Sequence, residues 1–509
     1  MSGQHTSEEI LSLLESVEVA VVATSAGDRV RCRMMHYAFD NNFNVYLATM
    51  KGDPKTVQIT HHPSIALLIH KGEPDINDSK EVEITGKAFM VTDEHERQRA
   101  LEATAGRSPV VNYLVETGNA RMLDCIKVVP ETVKFRIFRE IVQGKPPTVI
   151  EFPENRSVVS DWEMLKTKVT SWLLGLRVSF LTASIVPILL GTAIAWADTR
   201  AMHWGYFLLT LIAGLSLHAG INVINDYFDH KSGNDDINIE FVRPFSGGSR
   251  VIQLGLLTPL EVLMGGLLLV LLASLIGLYL AWTRGAFILV LGAIGLLSGL
   301  FYTGYPFNWA SRGVGEVLVG LNFGLLLTLG TYYVQTRSLS WTPMVAALPL
   351  AFLISAVLWI NEFPDYSADK AVGKKTLVVR LGRRKGVAGY AAFIIGAYLS
   401  LLAGVLAGLL PAATLLGFIT LPTLLRAIQY AKKHYHSPFD LVPANALTII
   451  AHLATGLLLT LVYAWEGLGL QGLGYLVLLG AAFFAFVIYM YRHIEKQKDV
   501  FLALKQVVR

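Results

Sequence analysis

The sequence predicts a multidomain fold in which a small antiparallel β-barrel precedes an all-α, polytopic membrane bundle. Hydrophobic residues make up 53% of the 509 residues and charged residues only 16%, which is too apolar for one soluble protein of this length. The apolar excess is uneven. Residues 1 to about 150 alternate as in a globular domain, whereas residues 173–491 contain apolar runs long enough to cross a bilayer.

The N-terminal part is predicted to be the barrel. Short segments rich in β-branched and aromatic residues alternate with Gly, Asp and Asn turns, which is typical of antiparallel strands. The predicted strands are 17–24, 30–39, 43–49, 65–70, 82–91 and 127–138. Helices are expected at 8–16 and 93–104, and this set of elements favours a small barrel.

Composition divides the chain into four parts: a barrel at 1–145, a linker with an interfacial helix at 146–172, the bundle at 173–491 and a basic cytoplasmic tail at 492–509. Tryptophans and lysines in 161–172 favour a helix on the membrane surface, although the same stretch could simply begin the first span. Cys32 and Cys125 form neither a disulfide framework nor a metal-binding spacing.

The bundle is expected to have nine to ten spans. They are placed at 176–197, 204–226, 257–282, 285–303, 312–335, 341–361, 387–409, 412–430, 443–466 and 473–491. With the N-terminus inside, the cytoplasmic connections and tail carry seventeen Lys and Arg and the opposite connections three, which sets the orientation. Residues 1–15 do not resemble a signal peptide. We therefore expect a multi-pass protein of the cell membrane with the barrel in the cytoplasm.

Two acidic clusters are predicted at the cytoplasmic ends of two spans. Asn222, Asp226 and Asp229 are spaced i, i+4 and i+7, which places them on one helix face. A second cluster, formed by Asn361, Asp365 and Asp369 at i, i+4 and i+8, ends a later span. Such clusters are costly unless a cation lies between them. Mg²⁺ with a diphosphate fits this need, and the alternative is a pair of hydrated helix ends.

These residues resemble the two aspartate-rich motifs of the UbiA-type intramembrane aromatic prenyltransferases, over about residues 176–466. Further matching pieces are Pro187, Gly191, and the segments 243–248, 302–306, 313–316 and 373–382. The last segment, with 330–333, is most similar to the 1,4-dihydroxy-2-naphthoate polyprenyltransferase branch. The family often has a third Asp where this chain has Gly233, so Asp235 or Asp236 is the alternative third ligand.

The resemblance implies a magnesium-dependent transfer of a polyprenyl group from its diphosphate to an aromatic acceptor, such as 1,4-dihydroxy-2-naphthoate in menaquinone biosynthesis. The residues assigned to catalysis are Asp226, Asp229, Asp365, Asp369, Asn225 and Asn361. Those assigned to the metal are Asn222, Asp226, Asp229, Asp235, Asp365 and Asp369. The diphosphate contacts are Lys231, Arg243, Lys374 and Arg380, although basic cytoplasmic loops also follow from membrane topology. The acceptor pocket is assigned to Tyr302, Glu316 and Asn322, with a structural role of Glu316 beside an arginine as the alternative.

The barrel, over about residues 5–140, resembles the FMN-binding split barrel of pyridoxamine 5'-phosphate oxidase-like proteins. Arg33, Thr49, Lys55 and Thr56 could hold a flavin phosphate through cations, hydroxyls and a helix N-terminus. The resemblance implies a homodimer through the barrel. The alternative is a barrel that has kept its shape and lost its flavin.

Other functions are considered beside prenyl transfer. A membrane-anchored, flavin-dependent quinone oxidoreductase would use the barrel site but would not need two acidic clusters. A UbiA-type enzyme with another aromatic or lipid acceptor is also possible. A transporter would place charges in mid-membrane, whereas these acids lie at helix ends. The chain has no Lys/Arg block typical of nucleic-acid binding, so the expected partners are the two substrates and membrane lipid.

Overall fold

The computed structural model describes residues 6–26, 29–51, 53–157, 161–233, 238, 245–304 and 306–469. The described residues divide into two compact units. The first lies within Met1–Leu173 and Val251–Thr258, and the second lies within Leu174–Arg250 and Pro259–Arg509.

The first unit is built on one antiparallel sheet. Its strands are β1 Val19–Ala26, β2 Arg29–Phe39, β3 Val45–Met50, β4 Ser64–Lys71, β5 Lys80–Met90, β6 Leu123–Ile137 and β7 Thr148–Glu151. The strand order is β3-β2-β1-β4-β5-β6-β7, and β3 also pairs with β6. That extra pairing closes six strands into a barrel and removes the open edges that an isolated sheet would expose. The predicted barrel is therefore confirmed.

Six short helices accompany or follow the barrel. They are α1 Ser7–Ser16, α2 Pro54–His61, α3 Glu94–Ala105, α4 Pro109–Glu116, α5 Phe138–Val142 and α6 Asp161–Gly175. Helix α1 inserts Ile10 and Leu14 into the barrel core, and the Tyr37 hydroxyl donates to the Leu14 carbonyl oxygen at 3.0 Å. Arg107 donates to the carbonyl oxygens of Leu14 and Glu15, so the end of α1 is fixed to the barrel.

The sequence-based boundaries of the barrel need two corrections. The predicted linker at 146–172 begins with a strand, because Thr148–Glu151 pairs with Thr132–Phe135 of β6. Four residues after two prolines carry too little periodicity to predict a strand, and here the hydrogen bonds come from the neighbouring strand. Helix α4 was also not predicted.

The second unit is helical. Its helices are α7 Thr182–Thr199, α8 Trp204–Ser232, α9 Pro259–Arg284, α10 Phe287–Thr303, α11 Gly315–Thr336, α12 Trp341–Ala371, α13 Leu377–Leu381, α14 Arg383–Leu406, α15 Ala412–His434 and α16 Val442–Leu468. Among the described residues, eight helical segments are long and apolar enough to cross a membrane, and α10 is a shorter apolar helix. The predicted tenth span at 473–491 and the tail at 492–509 lie outside the described residues.

Helices α8 and α12 extend past the predicted span ends at 226 and 361, to Ser232 and Ala371. The polar residues were taken as the ends of the apolar runs, but the helical hydrogen bonding continues through them. Each acidic cluster therefore lies on the last turns of one continuous helix, which is the condition for its members to share a face.

Two packed regions hold the bundle together. Trp359, Tyr390 and Leu424 join α12, α14 and α15 in one core, and Leu190 and Leu350 belong to a second core that joins α7 and α12. Both cores involve α12, which is therefore buried along most of its length. A helix fixed in this way can hold its polar end in a defined position.

Candidate active site

A cavity of about 750 Å³ lies among α7, α8, α9, α10, α11 and α12. Much of its polar lining comes from the C-terminal turns of α8 and α12, from residues 246–248 and from Lys374 and Thr376. The rest of its wall is mainly apolar, with Leu217, Ile221 and Leu278 as examples. The arrangement suits a ligand with a charged head and a long apolar body.

The cluster on α8 is divided between the cavity and the protein interior. Asn225 and Asp229 line the cavity, and the Thr303 hydroxyl donates to Asn225 Oδ1 at 2.6 Å. Asp226 is buried, pairs with Arg177 and accepts a hydrogen bond from the Ser249 hydroxyl. The alternative of a hydrated helix end does not fit Asp226, because protein groups replace water around its carboxylate.

The cluster on α12 lies in the same cavity. Asn361, Asp365 and Asp369 all line it. Asp365 accepts hydrogen bonds from Asn238 Nδ2 at 2.8 Å and from the Gly247 amide at 3.4 Å, and both partners come from the segment between α8 and α9. These contacts orient the carboxylate before any ligand arrives.

Lys374 lies between the two clusters. Its Nζ is 3.8 Å from Asp229 Oδ1 and 3.6 Å from Asp369 Oδ1, and its backbone amide donates to the Asp369 carbonyl at 2.8 Å. Burial alone would lower the pKa of Lys374, but the charges of Asp229 and Asp369 outweigh it and hold this pKa well above its ordinary value. A protonated amine therefore links both motifs.

The other predicted diphosphate contacts are placed differently. Lys231 and Arg380 are exposed and do not line the cavity, and the Arg380 guanidinium donates to the Lys375 carbonyl at 2.9 Å. Arg243 lies outside the described residues, as does Asp235, which was a candidate metal ligand. The structure thus brings one of the four predicted cations, Lys374, into the cavity.

The three predicted acceptor residues do not all lie in the cavity. Tyr302 and Asn322 line the cavity, whereas Glu316 does not. Glu316 is fully buried and its Oε1 accepts the Leu377 amide at 2.8 Å, at the first residue of α13. The alternative of a structural role fits this position, but the partner is a backbone amide rather than an arginine.

In the barrel, three of the four predicted flavin-phosphate residues cluster at the start of α2. Lys55 Nζ donates to Thr49 Oγ1 at 2.6 Å and to Asp53 Oδ2 at 2.7 Å, and the Thr56 hydroxyl donates to the Asp53 carbonyl. Burial raises the pKa of Asp53, but hydrogen bonds from Lys55 outweigh it and hold this pKa below its ordinary value. The carboxylate stays ionised beside the lysine.

Arg33, the fourth predicted residue, makes a separate set of contacts. Its guanidinium donates to Thr24 Oγ1 at 2.5 Å and to Gln58 Oε1 at 3.3 Å. Burial lowers the pKa of Arg33 from its ordinary value. Gln58 and Lys55 belong to the same helix, α2, so both cations are held at this helix.

The UbiA prenyltransferase family profile matches residues 184–442, which is just over half of the chain. This chain belongs to the UbiA prenyltransferase family. Residues 6–136 match the pyridoxamine 5'-phosphate oxidase profile, so a UbiA domain is fused to an oxidase-like barrel. The chain is an integral membrane prenyltransferase.

Two relatives of the UbiA domain have names that refer to a naphthoquinone or a naphthoate. The chain is 28% identical to the 2-carboxy-1,4-naphthoquinone phytyltransferase of Synechocystis, over 58% of this chain and 94% of that protein. It is 32% identical to the 1,4-dihydroxy-2-naphthoate octaprenyltransferase of Mycobacterium tuberculosis, over 50% of this chain and 84% of that protein. A solved putative pyridoxamine 5'-phosphate oxidase from Listeria innocua is 27% identical, with a TM-score of 0.22, and covers 26% of this chain and 98% of that one.

The oxygen donors of the UbiA domain fit magnesium bound together with a diphosphate. Among the described residues, no three His, Cys, Asp or Glu side chains gather around one point. Mg²⁺ does not require such a group, because it usually takes one or two carboxylates and completes its shell with water and substrate phosphates. Asp229, Asp365 and Asp369 line the cavity and are of the chemical type that this mode uses.

Several residues of the UbiA site were not found from the sequence. Arg177, which pairs with Asp226, lies 49 residues before it, and Asn445 of α16 donates to Asn361 Oδ1 at 2.7 Å. Glu362 adds a further buried carboxylate to the cavity. An isolated polar residue in an apolar span was the available signal for Asn445, since such residues need a partner in the membrane.

Proposed function

We propose that this enzyme transfers a polyprenyl group from its diphosphate to 1,4-dihydroxy-2-naphthoate, as a step of menaquinone biosynthesis. The observation that carries this proposal is the position of Lys374 between Asp229 and Asp369, at the polar end of an otherwise apolar cavity. The names of the relatives support the choice of acceptor.

The cavity separates the two parts of the prenyl substrate. Its polar end would take the diphosphate, with Asp229, Asp365 and Asp369 holding the magnesium ions and Lys374 donating to phosphate oxygens. Bound magnesium would supply the Lewis-acid neutralisation of the leaving group. The apolar wall would take the prenyl chain and exclude water, so that the acceptor ring rather than water reaches the allylic carbon.

The transfer exchanges one bond for another. The bond between the first prenyl carbon and the diphosphate oxygen breaks, and its electron pair leaves with the diphosphate. The ring carbon that bears the acceptor carboxylate supplies the pair for the new carbon–carbon bond. Loss of CO₂ returns a pair to the ring, so no oxidant or reductant is needed.

We further propose that both acidic clusters and the barrel face the cytoplasm of the cell. The excess of Lys and Arg in the connections on one side supports this orientation. The soluble diphosphate head would then enter from the compartment in which it is made.

The transfer is tested with the full-length protein in lipid nanodiscs. Labelled polyprenyl diphosphate is offered with 1,4-dihydroxy-2-naphthoate, 4-hydroxybenzoate or homogentisate, with Mg²⁺ or with excess chelator, and the lipid product is identified by mass spectrometry. We expect a prenylated naphthalene product with Mg²⁺ only. A product from another acceptor alone would change the acceptor, and turnover in excess chelator would reject the role of the acidic clusters.

For the barrel we propose FMN binding, with the phosphate at Lys55, Thr49 and Thr56 and with Arg33 beside it. The clustering of these residues at the N-terminus of α2 supports the proposal, since cations, hydroxyls and helix amides all bind phosphate. Asp53 would have to release Lys55 when the phosphate binds. Bound FMN would supply redox chemistry, and the barrel would form a homodimer around it.

Flavin retention by the full-length protein tests this proposal. We expect purified protein to absorb as a flavoprotein or to bind added FMN. Each charge-assisted phosphate contact contributes about 1.5–3 kcal/mol, so Lys55→Met with Arg33→Met should weaken binding by roughly two orders of magnitude or more. Lys71→Met is the control, because Lys71 is partly exposed and pairs with Glu73. Equal FMN affinity of the double variant, or no FMN affinity in the parent protein, would contradict the proposal.

A further inference from the structure

Two pairs of hydrogen-bonded polar side chains interrupt the apolar part of the cavity wall. One pair is Ser184 of α7 with His218 of α8, and the other is Ser298 of α10 with Asn322 of α11. All four residues line the cavity. None of the four belongs to the acidic clusters.

His218 is held in a defined orientation. Ser184 Oγ lies 2.8 Å from His218 Nδ1, and the Phe323 ring packs against the imidazole with the ring centroids 4.5 Å apart. Ser184 and His218 are both buried. Within the described part of the chain, Nδ1 is the ring nitrogen that has a hydrogen-bond partner, so Nε2 is the nitrogen through which this side chain can reach a ligand.

In the second pair, Asn322 lies on an irregular piece of α11. Leu321–Leu326 forms a π-helical turn, a feature that often occurs at functional sites. Asn322 Nδ2 donates to Ser298 Oγ at 2.8 Å and to the Leu318 carbonyl at 2.8 Å. The wider turn allows the consecutive residues Asn322 and Phe323 both to line the cavity, one as a polar group and one as an aromatic face.

His218 lies away from the end of the cavity at which the diphosphate would bind. His218 precedes Asn222 by one helical turn, or about 5.4 Å along α8, and precedes Asp229 by about three turns. A prenyl chain has no hydrogen-bonding group, so it gains nothing from polar side chains at this depth. Burying them costs free energy unless they are satisfied by protein or ligand, and the aromatic acceptor is the substrate that carries hydroxyl groups.

We propose that His218, oriented by Ser184 and flanked by Phe323, binds a hydroxyl group of the aromatic acceptor through Nε2 and thereby determines acceptor specificity. The proposal rests on the proposed function, because it concerns the acceptor of that reaction. His218 is a positioning and recognition residue in this account. Phe323 supplies a face against which the acceptor ring packs, and Asn322 with Ser298 adds a second polar group to the cavity wall.

The test compares binding and turnover in full-length protein in nanodiscs. The probes are 1,4-dihydroxy-2-naphthoate and the two analogues that each lack one hydroxyl, 1-hydroxy-2-naphthoate and 4-hydroxy-2-naphthoate. Acceptor Kd is measured by fluorescence titration without prenyl diphosphate, and kcat and KM are measured for both substrates. The variants are His218→Leu, His218→Gln and Ser184→Ala.

We expect His218→Leu to weaken acceptor binding about 10- to 100-fold, the usual loss when a buried polar partner is removed, with the KM for prenyl diphosphate unchanged. His218→Gln should restore much of the affinity, because its amide can also bond a hydroxyl. The parent protein should bind one analogue less tightly than the dihydroxy acid, and His218→Leu should abolish that difference. The comparison of the three probes in the parent protein needs no assumption about how the variant folds.

His452→Leu is the matched control, because His452 is buried in α16 and does not line the cavity. It should leave the acceptor Kd unchanged. Equal affinity of the parent for all three probes, or an unchanged acceptor Kd in a folded His218→Leu variant, would overturn the proposal. A parent that binds the acceptor in this way but gives no prenylated product would instead reject the proposed reaction.

Discussion

Asp226 and Asp229 are three residues apart on α8 and lie in different surroundings. Asp226 is buried against Arg177 and Ser249, whereas Asp229 lines the cavity near Lys374. The same substitution at the two positions should therefore have different effects on stability.

We expect Asp229→Asn to lower the transfer rate roughly 100-fold or more, the usual cost of removing a charge that stabilises the reacting group. Asp226→Asn should lower the rate indirectly, because it disturbs the pairing that holds this end of α8. Asp226→Asn should also reduce the free energy of unfolding by as much as about 3 kcal/mol, since it leaves Arg177 without its counter-charge. Thermal unfolding in detergent and the transfer assay measure the two effects. Asp198→Asn, in the C-terminal turn of α7, is the control and should keep its activity. An active Asp229→Asn variant would contradict the assignment.

Lys374 can be compared with its neighbour Lys375 to test the contribution of its charge to substrate binding. Lys374→Met should raise the KM for prenyl diphosphate about tenfold or more, because a charged hydrogen bond to phosphate is lost. Lys374→Arg should retain part of the affinity. The raised pKa of Lys374 keeps its amine protonated, so this group should cause no loss of affinity as the pH rises from about 7 to 9. Lys375→Met changes an exposed neighbour, and a similar loss in that variant would assign the effect to overall loop charge.

Part of this site could be predicted from residue spacing and part could not. Because a helix repeats every 3.6 residues, the spacing of Asp365 and Asp369 alone places them on one face of α12. Lys374 could not be distinguished from Arg380 in the same way, since the path of the loop and α13 decides which side chain reaches the cavity. Arg177 and Asp226 meet only through tertiary packing, which no local pattern records.

Among the helices, α11 departs most from regular geometry. Its π-helical turn packs closely on α12, and a Cβ atom added at Gly324 would lie 2.5 Å from the Cα and Cβ atoms of Ala351. Backbone atoms cannot move aside as a flexible side chain can, so this position requires glycine. The sequence shows the glycine but not the neighbour that makes it necessary.

Gly324→Ala is therefore expected to separate α11 from α12. Overpacking of this kind costs about 1–3 kcal/mol, and it should also displace Asn322 and Phe323, which line the cavity. We expect a lower thermal unfolding temperature and weaker acceptor binding. Gly277→Ala is the control, since a Cβ atom there meets nothing within 4 Å and alanine favours the helix. Equal stability of the two variants would show that the contact with Ala351 relaxes freely.

The whole molecule combines a barrel and a bundle that differ in how well their elements could be predicted. Long apolar runs predicted the membrane helices, because each must satisfy its own backbone hydrogen bonds in the bilayer. The ends of α8 and α12 were placed too early, since polar residues were taken to end the spans. In the barrel, β7 could not be predicted, because its partner strand rather than its own sequence stabilises it.

Membrane orientation is tested with single cysteines. The C-terminal end of α8 and the loop between α11 and α12 are predicted to face opposite sides, so Lys231→Cys and Ser338→Cys should label from opposite faces of sealed vesicles. Both positions are exposed. Each new cysteine is introduced into a protein that carries Cys32→Ser and Cys125→Ser. In a separate sample that keeps its native cysteines, labelling of Cys32, which is exposed, reports the side on which the barrel lies. Labelling of residues 231 and 338 from the same side would remove the proposal of a shared cytoplasmic compartment.

The bridge formed by Lys374 has a consequence for handling the enzyme. A tethered ammonium group is a permanent counter-ion, and its local concentration does not depend on the buffer. It offsets the repulsion between Asp229 and Asp369 before any dissolved cation arrives. In the proposed reaction, divalent ions would then govern turnover without being needed for folding, so we expect protein that was purified in a chelator to become active when magnesium is added.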